Sequence, residues 1–227
     1  MNSLVTLIAY DIDGTILSTG GAGRSALNQA FLDLHGVDEA FRKVSFAGRT
    51  DPGIVAEAFS LAGRSVGEGD FDRLKTCYLA HLERELGERE ILVHPGVREA
   101  LEGTGAYGVN CLLTGNWREG AQRKLEAADL WEHFSMGAFG DDSPCRDDLV
   151  PVLRARAALQ GLNVGRVVVI GDTESDVACA RAGDAVAVAV GTGWRSAEEL
   201  LATDPDLFLE DLEQGLEDLL SLVKAPV

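Results

Sequence analysis

The sequence has few cysteines and few basic residues. Its four cysteines, Cys77, Cys111, Cys145 and Cys179, include no Cys-x-x-Cys pair, which argues against a zinc site or a disulfide framework. Lysine and arginine together number 20, against 37 acidic residues, so the net charge is −17 at pH 7. Because nucleic acids and anionic membranes bind basic surfaces, this balance argues against both as partners.

Long apolar runs are also lacking. No run approaches the length of a membrane-spanning helix, and Met1 to Tyr10 lacks the basic start and long apolar core of a signal peptide. We therefore expect a cytoplasmic protein. A chain of 227 residues with 46% hydrophobic residues can form one sizeable core, or one core with a small appended domain. Nothing in the sequence indicates the oligomeric state.

Two acidic residues follow the first apolar run of the chain. The run from Leu4 to Ala9 is too short for anything but a buried strand, and Asp11 and Asp13 come after it, before Gly14. Carboxylates this close together repel each other unless a cation or a proton offsets their charge. The pair therefore predicts a site for a hard divalent cation.

Apolar runs alternate with helical segments in the second part of the chain. The run from Val167 to Ile170 has no polar alternation, which is typical of a strand buried on both faces of a parallel sheet. This alternation predicts an α/β fold with an open, doubly wound parallel sheet, whose ligand site lies at the carboxyl ends of the strands. The further predicted strands are 109–113, 134–139, 166–170 and 185–190, and the helices include 148–159 and 174–182.

The segment 18–92 shows helical periodicity. Apolar residues recur at helical spacing in three stretches, and we expect Asp51 to cap the second helix and Pro52 to open it. The sequence therefore predicts an α/β core of residues 1–17 and 93–227 and an all-helical domain of residues 18–92. An insertion at this point would lie directly over the ligand site.

Polar residues follow three of the predicted strands. Besides the first pair of acids, these are Thr114-Gly115-Asn116 and the run 171–176, which contains Asp172. Each alone could be an ordinary turn, but the carboxyl ends of parallel strands meet at one edge of the sheet. There Asp11, Asp13 and Asp172 can supply oxygen ligands for Mg²⁺. The hydroxyl and backbone amides of residues 114–116 can hold phosphate oxygens, and one carboxylate remains free to attack phosphorus.

With these motifs the sequence resembles the haloacid dehalogenase superfamily over nearly its whole length. Gly48 to Pro52 is similar to a cap segment of its phosphoglycolate-phosphatase-like members. The resemblance implies that Asp11 is a nucleophile that forms an aspartyl-phosphate, and that Asp13 protonates the leaving oxygen and then activates water. It also implies that the main-chain carbonyl of Asp13 joins Asp11 and Asp172 around Mg²⁺.

A phosphoryl-transfer site also needs a fixed cation, and members of this family place a lysine or arginine before the helix that leads into the strand of the last acidic motif. Arg146 begins that helix here, and we predict that it is the active-site cation. Lys124, on the helix after Thr114, is the alternative. Its other interpretation is a residue on a solvated helix face.

Two further residues are candidates for supporting roles. Asp176 lies four residues after Asp172, so at helical spacing it can face the site and hold the cation in place. The alternative is an ordinary carboxylate in the first turn of a helix. Arg49 is a candidate to contact the substrate from the cap, and the alternative is an exposed arginine of a capping loop.

These inferences predict a Mg²⁺-dependent phosphatase of small soluble phosphomonoesters, with a phosphoglycolate-like metabolite as partner. Asp13 argues against a haloacid dehalogenase, because halide leaves without protonation and dehalogenating members lack this second acid. A sugar-phosphate mutase similar to β-phosphoglucomutase stays an alternative, because the sequence does not report how well the cap excludes water. A receiver-type signalling module has a similar acidic pocket, but receivers are about half this length and have no helical insertion.

Overall fold

A six-stranded sheet forms the centre of the structure, a computed structural model that describes residues 4–225. Its strands are β1 (Val5–Tyr10), β4 (Val109–Leu113), β5 (Met136–Ala138), β6 (Val164–Gly171), β7 (Val186–Val190) and β8 (Leu207–Leu209). Their order across the sheet is β5-β4-β1-β6-β7-β8, and every neighbouring pair is parallel. The prediction of an α/β fold with a parallel sheet is confirmed.

Helices cover both faces of this sheet. They are α4 (Val97–Gly105), α5 (Arg118–Glu126), α6 (Leu149–Leu159), α7 (Glu174–Ala182), α8 (Ala197–Leu201) and α9 (Leu216–Lys224), with short 3-10 helices at Trp131–His133 and Arg146–Asp148. None of the helices in residues 4–225 has both the length and the apolar content needed to cross a membrane.

The side chains of the central strands divide between two hydrophobic cores. Ile8 and Val168 pack on one side of the sheet, whereas Leu7 and Val167 pack on the other. Because successive side chains of a strand point to opposite faces, a strand between two layers of helices is apolar at every position. This burial explains the uninterrupted apolar runs from which β1 and β6 were predicted.

The predicted strands and the observed ones differ mainly at the edges of the sheet. The predicted strand 134–139 is shorter, Met136–Ala138, and β8 at the opposite edge was not predicted. Both edge strands have three residues, too few for a periodic pattern to stand out from the surrounding loops.

A separate helical unit, which we define as residues 22–88, follows the first strand. It contains α1 (Ala22–His35), α2 (Asp51–Leu61) and α3 (Asp70–Glu88), which share a third hydrophobic core. The short strands β2 (Leu17–Ser18) and β3 (Leu92–Val93) pair antiparallel at its base. The limits predicted for the inserted domain, residues 18 and 92, fall within this pair.

The start of α2 joins the helical unit to the sheet edge. Asp51 was predicted to cap this helix, and that prediction is wrong: the N-cap is Thr50, whose Oγ1 accepts a hydrogen bond from Gly53 N at 3.2 Å. The carboxylate of Asp51 instead accepts from Trp117 N at 2.8 Å. Thr50 Oγ1 also donates to the carbonyl of Pro144 at 2.8 Å, so α2 is tied to two loops of the α/β core.

Candidate active site

Three neighbouring strands bring the predicted motifs to one edge of the sheet. Strand β1 lies between β4 and β6, so the loops that follow all three strands are adjacent. Asp11 N donates to Ile170 O at 2.9 Å, and Thr114 N donates to Ala138 O at 3.0 Å, so the hydrogen bonds of the sheet extend to the first residue of each motif. The side chains that follow are therefore fixed by the sheet.

Asp11, Asp172 and Asp176 form a buried cluster of carboxylates. One oxygen from each lies within 4.8 Å of the others, and all three residues are buried. Burial raises the pKa of Asp11 and of Asp172, and the nearby charge of Asp176 raises both pKa values further. Carboxylates in this position favour a proton or a cation among them.

The carboxylate of Asp172 fits between two glycines. A Cβ atom added at Gly14 or at Gly193 would overlap this carboxylate, and Gly14 also has a positive φ of 88°. Thr15 Oγ1 donates to Asp172 Oδ1 at 3.2 Å. Gly14 and Thr15 of the first motif thus position the acid of the last motif.

Arg146 lies against two of the clustered acids. Its Nη2 is 3.2 Å from Asp11 Oδ2, and the same nitrogen forms an ion pair with Asp176 Oδ1. The other oxygen of Asp176 accepts from Thr173 N at 3.0 Å and from Thr173 Oγ1 at 2.6 Å, as the capping box of α7. Asp176 therefore lies where the sequence places it, beside the predicted cation, and the functional roles of both remain predictions.

Asp13 faces away from this cluster, toward Lys124. The Lys124 Nζ donates to Asp13 Oδ1 at 2.8 Å and Oδ2 at 2.6 Å, and to Asn116 Oδ1 at 2.6 Å. Lys124 is only 4% exposed, so the interpretation as a residue on a solvated helix face is wrong. The site contains two buried cations, one beside each acid of the first motif.

The side chains of Thr114 and Asn116 are engaged with each other and with Asp13. Asn116 Nδ2 donates to Thr114 Oγ1 and to Asp13 Oδ2, both at 2.8 Å. Asn116 N donates to Thr114 Oγ1 at 3.3 Å. In this arrangement the amide nitrogens of Asn116 donate to protein oxygens. Binding of phosphate by residues 114–116 stays a prediction.

Arg49 lies at the junction of the helical unit and the sheet edge. Its guanidinium pairs with Glu57 and donates to Gly53 O at 3.2 Å, both within the helical unit. Its backbone lies against Gly115, where an added Cβ would overlap the carbonyl oxygen of Arg49. The contact of the guanidinium with a substrate stays a prediction.

The donor set at the sheet edge fits a hard divalent cation. Carboxylates are the ligands that Mg²⁺ prefers, and the crowding of Asp11, Asp172 and Asp176 is offset on one side by Arg146 alone. The carboxylate of Asp13 is bound by Lys124 and is not part of this cluster. The ligand set that the resemblance implies, namely Asp11, Asp172 and the main-chain carbonyl of Asp13, stays a prediction.

Sequence reasoning missed two features of this site. Gly193 lies in a segment to which no role was given, and only its approach to Asp172 reveals its importance. Lys124 was named as the alternative cation, but its burial was missed; the burial could have been predicted from the helix, because the buried residues of α5 are Gly120, Ala121, Lys124 and Leu125. These four residues have the spacing i, i+1, i+4, i+5 of one buried helix face. A lysine on such a face is buried, and a buried lysine needs an anionic partner.

Comparisons with known proteins identify the family of this chain. The family model described as haloacid dehalogenase-like hydrolase matches residues 8–181, and a second model, described as HAD-hydrolase-like, matches residues 150–215. The chain is 28% identical over 192 residues to a phosphoglycolate phosphatase of Mesorhizobium japonicum, covering 83% of each chain. It is 26% identical over 217 residues to the phosphoglycolate phosphatase of Nitrosospira multiformis, covering 93% of this chain and 94% of the relative.

Solved structures share the fold. CbbY of Rhodobacter sphaeroides in complex with phosphate superposes with a TM-score of 0.73 at 17% identity, covering 93% of this chain and 96% of CbbY. A hydrolase from Pseudomonas syringae superposes with a TM-score of 0.70 at 22% identity, covering 95% and 97% of the two chains. Since the first family model spans most of the chain, this protein belongs to the haloacid dehalogenase-like hydrolase family.

Proposed function

We propose that this protein is a Mg²⁺-dependent phosphatase of small phosphorylated metabolites, and that a phosphoglycolate-like ester is its substrate. The curated relatives are phosphoglycolate phosphatases, and on that likeness the chain is a phosphoric monoester hydrolase, as predicted. The proposed substrate also rests on these relatives, whereas the metal and the residue roles rest on the arrangement of the site.

The observation that carries the proposal is the difference between the surroundings of Asp11 and Asp13. Asp11 is buried, beside Arg146 and two further carboxylates, whereas the side chain of Asp13 is 44% exposed and lies against Lys124. Two neighbouring acids in different environments can perform different tasks, one as nucleophile and one as acid and base. Hydrolysis of a phosphate ester through a phosphorylated aspartate uses both tasks.

The reaction proceeds in two steps at these residues. In the first, a carboxylate oxygen of Asp11 attacks phosphorus, and the ester oxygen leaves with the electron pair of its bond to phosphorus and takes a proton from Asp13. In the second, the Asp13 carboxylate takes a proton from water, whose oxygen attacks the same phosphorus. The bond between Asp11 and phosphorus breaks, which releases inorganic phosphate and restores the carboxylate.

Mg²⁺ would be held by Asp11, Asp172 and the main-chain carbonyl of Asp13, and it would supply positive charge beside the phosphoryl oxygens. Arg146 stays against Asp11 and Asp176 and limits the repulsion among the acids. The helical unit lies over the carboxyl ends of the strands and restricts the access of water and of bulky esters to the site.

Release of inorganic phosphate from a panel of esters tests the proposal. The panel contains 2-phosphoglycolate, several sugar phosphates and p-nitrophenyl phosphate, each with Mg²⁺ and with EDTA. We expect Mg²⁺-dependent phosphate release, fastest with small carboxylated esters, and its loss in EDTA. Isomerisation of a sugar phosphate without release of phosphate would instead identify a mutase, and release that EDTA leaves unchanged would contradict the role of the metal.

A further inference from the structure

We infer that Lys124 is a positioning residue that holds the carboxylate of Asp13 in place for proton transfer. The inference rests on the proposed function, because it assigns Lys124 to the acid that serves the leaving group. The two buried cations then have different roles: Arg146 contacts the nucleophile Asp11, and Lys124 contacts the acid and base Asp13.

The contacts of Lys124 fix both the position and the rotation of the Asp13 carboxylate. An ammonium group has three donors, and Lys124 Nζ has three oxygen partners, namely the two carboxylate oxygens of Asp13 and Asn116 Oδ1. Asn116 Nδ2 donates back to Asp13 Oδ2 at 2.8 Å. The closed set of hydrogen bonds leaves the carboxylate one orientation.

Such support is needed because Asp13 belongs to a loop beyond the end of β1. Its side chain is the most exposed of the site acids, and an exposed side chain on a loop is free to change rotamer. Proton transfer depends on heavy-atom distances of about 2.6 to 3.2 Å, so a change of rotamer removes the acid from its partner. A fixed cation prevents that loss.

The burial of Lys124 indicates a specific role rather than packing. Its position belongs to the apolar stripe of α5, where an apolar residue would pack without the cost of burying a charge. Gly23 of α1, in the helical unit, lies beside the ammonium, since a Cβ added there would be 3.7 Å from Lys124 Nζ. The helical unit therefore contributes to the burial of Lys124, whereas the side chain of Asp13 stays 44% exposed.

Two substrates with different leaving groups test the inference. Cleavage of an alkyl phosphate needs protonation of the leaving oxygen, whereas p-nitrophenolate leaves readily without a proton. Because kcat/KM reports the steps up to the first irreversible one, it isolates this difference from the later hydrolysis of the phosphorylated enzyme. For Lys124→Met we expect kcat/KM to fall about 100-fold with 2-phosphoglycolate and less than about threefold with p-nitrophenyl phosphate.

Comparison variants assign the effect to Asp13. Asp13→Asn should show the same dependence on the leaving group. Adding Lys124→Met to Asp13→Asn should lower kcat/KM for the alkyl ester by less than about a further twofold, because the two substitutions remove the same function. Lys124→Arg keeps the charge and should recover part of the loss. Lys224→Met, which alters an exposed lysine of α9, should leave both values unchanged.

Lys124→Gln replaces Lys124→Met if the latter does not fold, since glutamine retains polar contacts while removing the charge. An equal loss of kcat/KM with both esters in the folded variant would overturn the inference, since a merely structural defect does not distinguish leaving groups. If Asp13→Asn loses more kcat/KM with 2-phosphoglycolate than with p-nitrophenyl phosphate and the Lys124 variants do not, only the role of Lys124 is wrong. If Asp13→Asn does not discriminate either, the proposed function fails and the inference with it.

Discussion

The backbone N–H of Asp51 donates to the carbonyl oxygen of Gly115 across 2.7 Å, which joins the start of α2 to the loop after β4. The two segments meet without side chains between them, because Gly115 has no Cβ and Arg49 approaches it through its backbone. The helical unit is thus docked on the same loop that carries Thr114 and Asn116. The position of the helical unit and the shape of the site depend on each other.

Gly115→Ala is expected to displace the helical unit from the sheet edge. The added Cβ would overlap the backbone of Arg49, which cannot move as a flexible side chain can. We expect kcat/KM to fall about tenfold or more, because misplacement by about 1 Å near a reacting group has effects of that size or larger. Faster hydrogen exchange at the amide of Asp51 should accompany the loss.

Gly87→Ala is the control for that change. Gly87 lies within α3, and nothing lies within 4 Å of a Cβ added there. Alanine should stabilise this helix by up to about 1 kcal/mol and leave kcat/KM unchanged. Equal activity of the two glycine variants would show that the docking contact does not matter for catalysis.

Asp51→Asn is expected to stabilise the protein at neutral pH. Burial raises the pKa of Asp51 from 3.8 to about 6, so the folded state holds more protons than the unfolded state between these values. Stability contributed by the protonated form is therefore lost as the pH rises from about 4 to about 6. Each pKa unit corresponds to about 1.4 kcal/mol, so ionisation of Asp51 costs the folded state about 3 kcal/mol above that range.

Urea unfolding between pH 4 and pH 7 measures this effect. The free energy of unfolding of Asp51→Asn, relative to the unmodified protein, should rise across the range by about 3 kcal/mol. Asparagine retains an acceptor for Trp117 N, so the contact itself is kept. Asp72→Asn, at an exposed position of α3, should show no such rise. A constant difference between Asp51→Asn and the unmodified protein would contradict the prediction.

Arg146→Ala is expected to reduce both stability and turnover. The change leaves Asp11 and Asp176 buried without their cation, and removing one partner of a buried pair costs about 3 to 5 kcal/mol. We expect kcat to fall about 100-fold or more, measured at a temperature where the variant is folded. The kcat of Arg146→Lys should lie between that of Arg146→Ala and that of the unmodified protein. Arg42→Ala changes an exposed arginine, so its kcat should match that of the unmodified protein. Unchanged kcat in Arg146→Ala would remove Arg146 from the mechanism.

Mg²⁺ is expected to stabilise the protein through Asp172. A ligand that binds only the folded state adds about 2.7 kcal/mol at 100 times its Kd, which raises Tm measurably. EDTA should reverse the rise, and Asp172→Asn should lose it. Asp147→Asn, at an exposed acid close to Arg146 in sequence, should retain it. A Tm that rises equally in Asp172→Asn would place the metal elsewhere.

Segments with a local signal could be predicted from the sequence. Strand Val109–Leu113 and helix Glu174–Ala182 have the predicted limits, because an apolar run defines the first and an acidic first turn opens the second. In each case, the pattern of neighbouring residues and the topology of a parallel sheet were sufficient.

Contacts between distant segments could not be predicted. Lys124 and Asp13 are 111 residues apart, and they meet because β4, the strand before α5, pairs with β1. Asp51 was expected to cap its own helix, but its carboxylate accepts a hydrogen bond from the backbone amide of Trp117, on another segment. Both residues act through tertiary contacts, for which spacing along the chain carries no signal.

The hydrolysis of 2-phosphoglycolate by Asp11→Asn, with Mg²⁺ and beside a matched Asp142→Asn control, tests the central claim most directly. Asp142 pairs with Arg156 and does not belong to the carboxylate cluster, so its variant should remain active. If Asp11 is the nucleophile, its amide variant should fold, retain less than about one thousandth of the activity and form no aspartyl-phosphate. Full activity of Asp11→Asn would contradict the account.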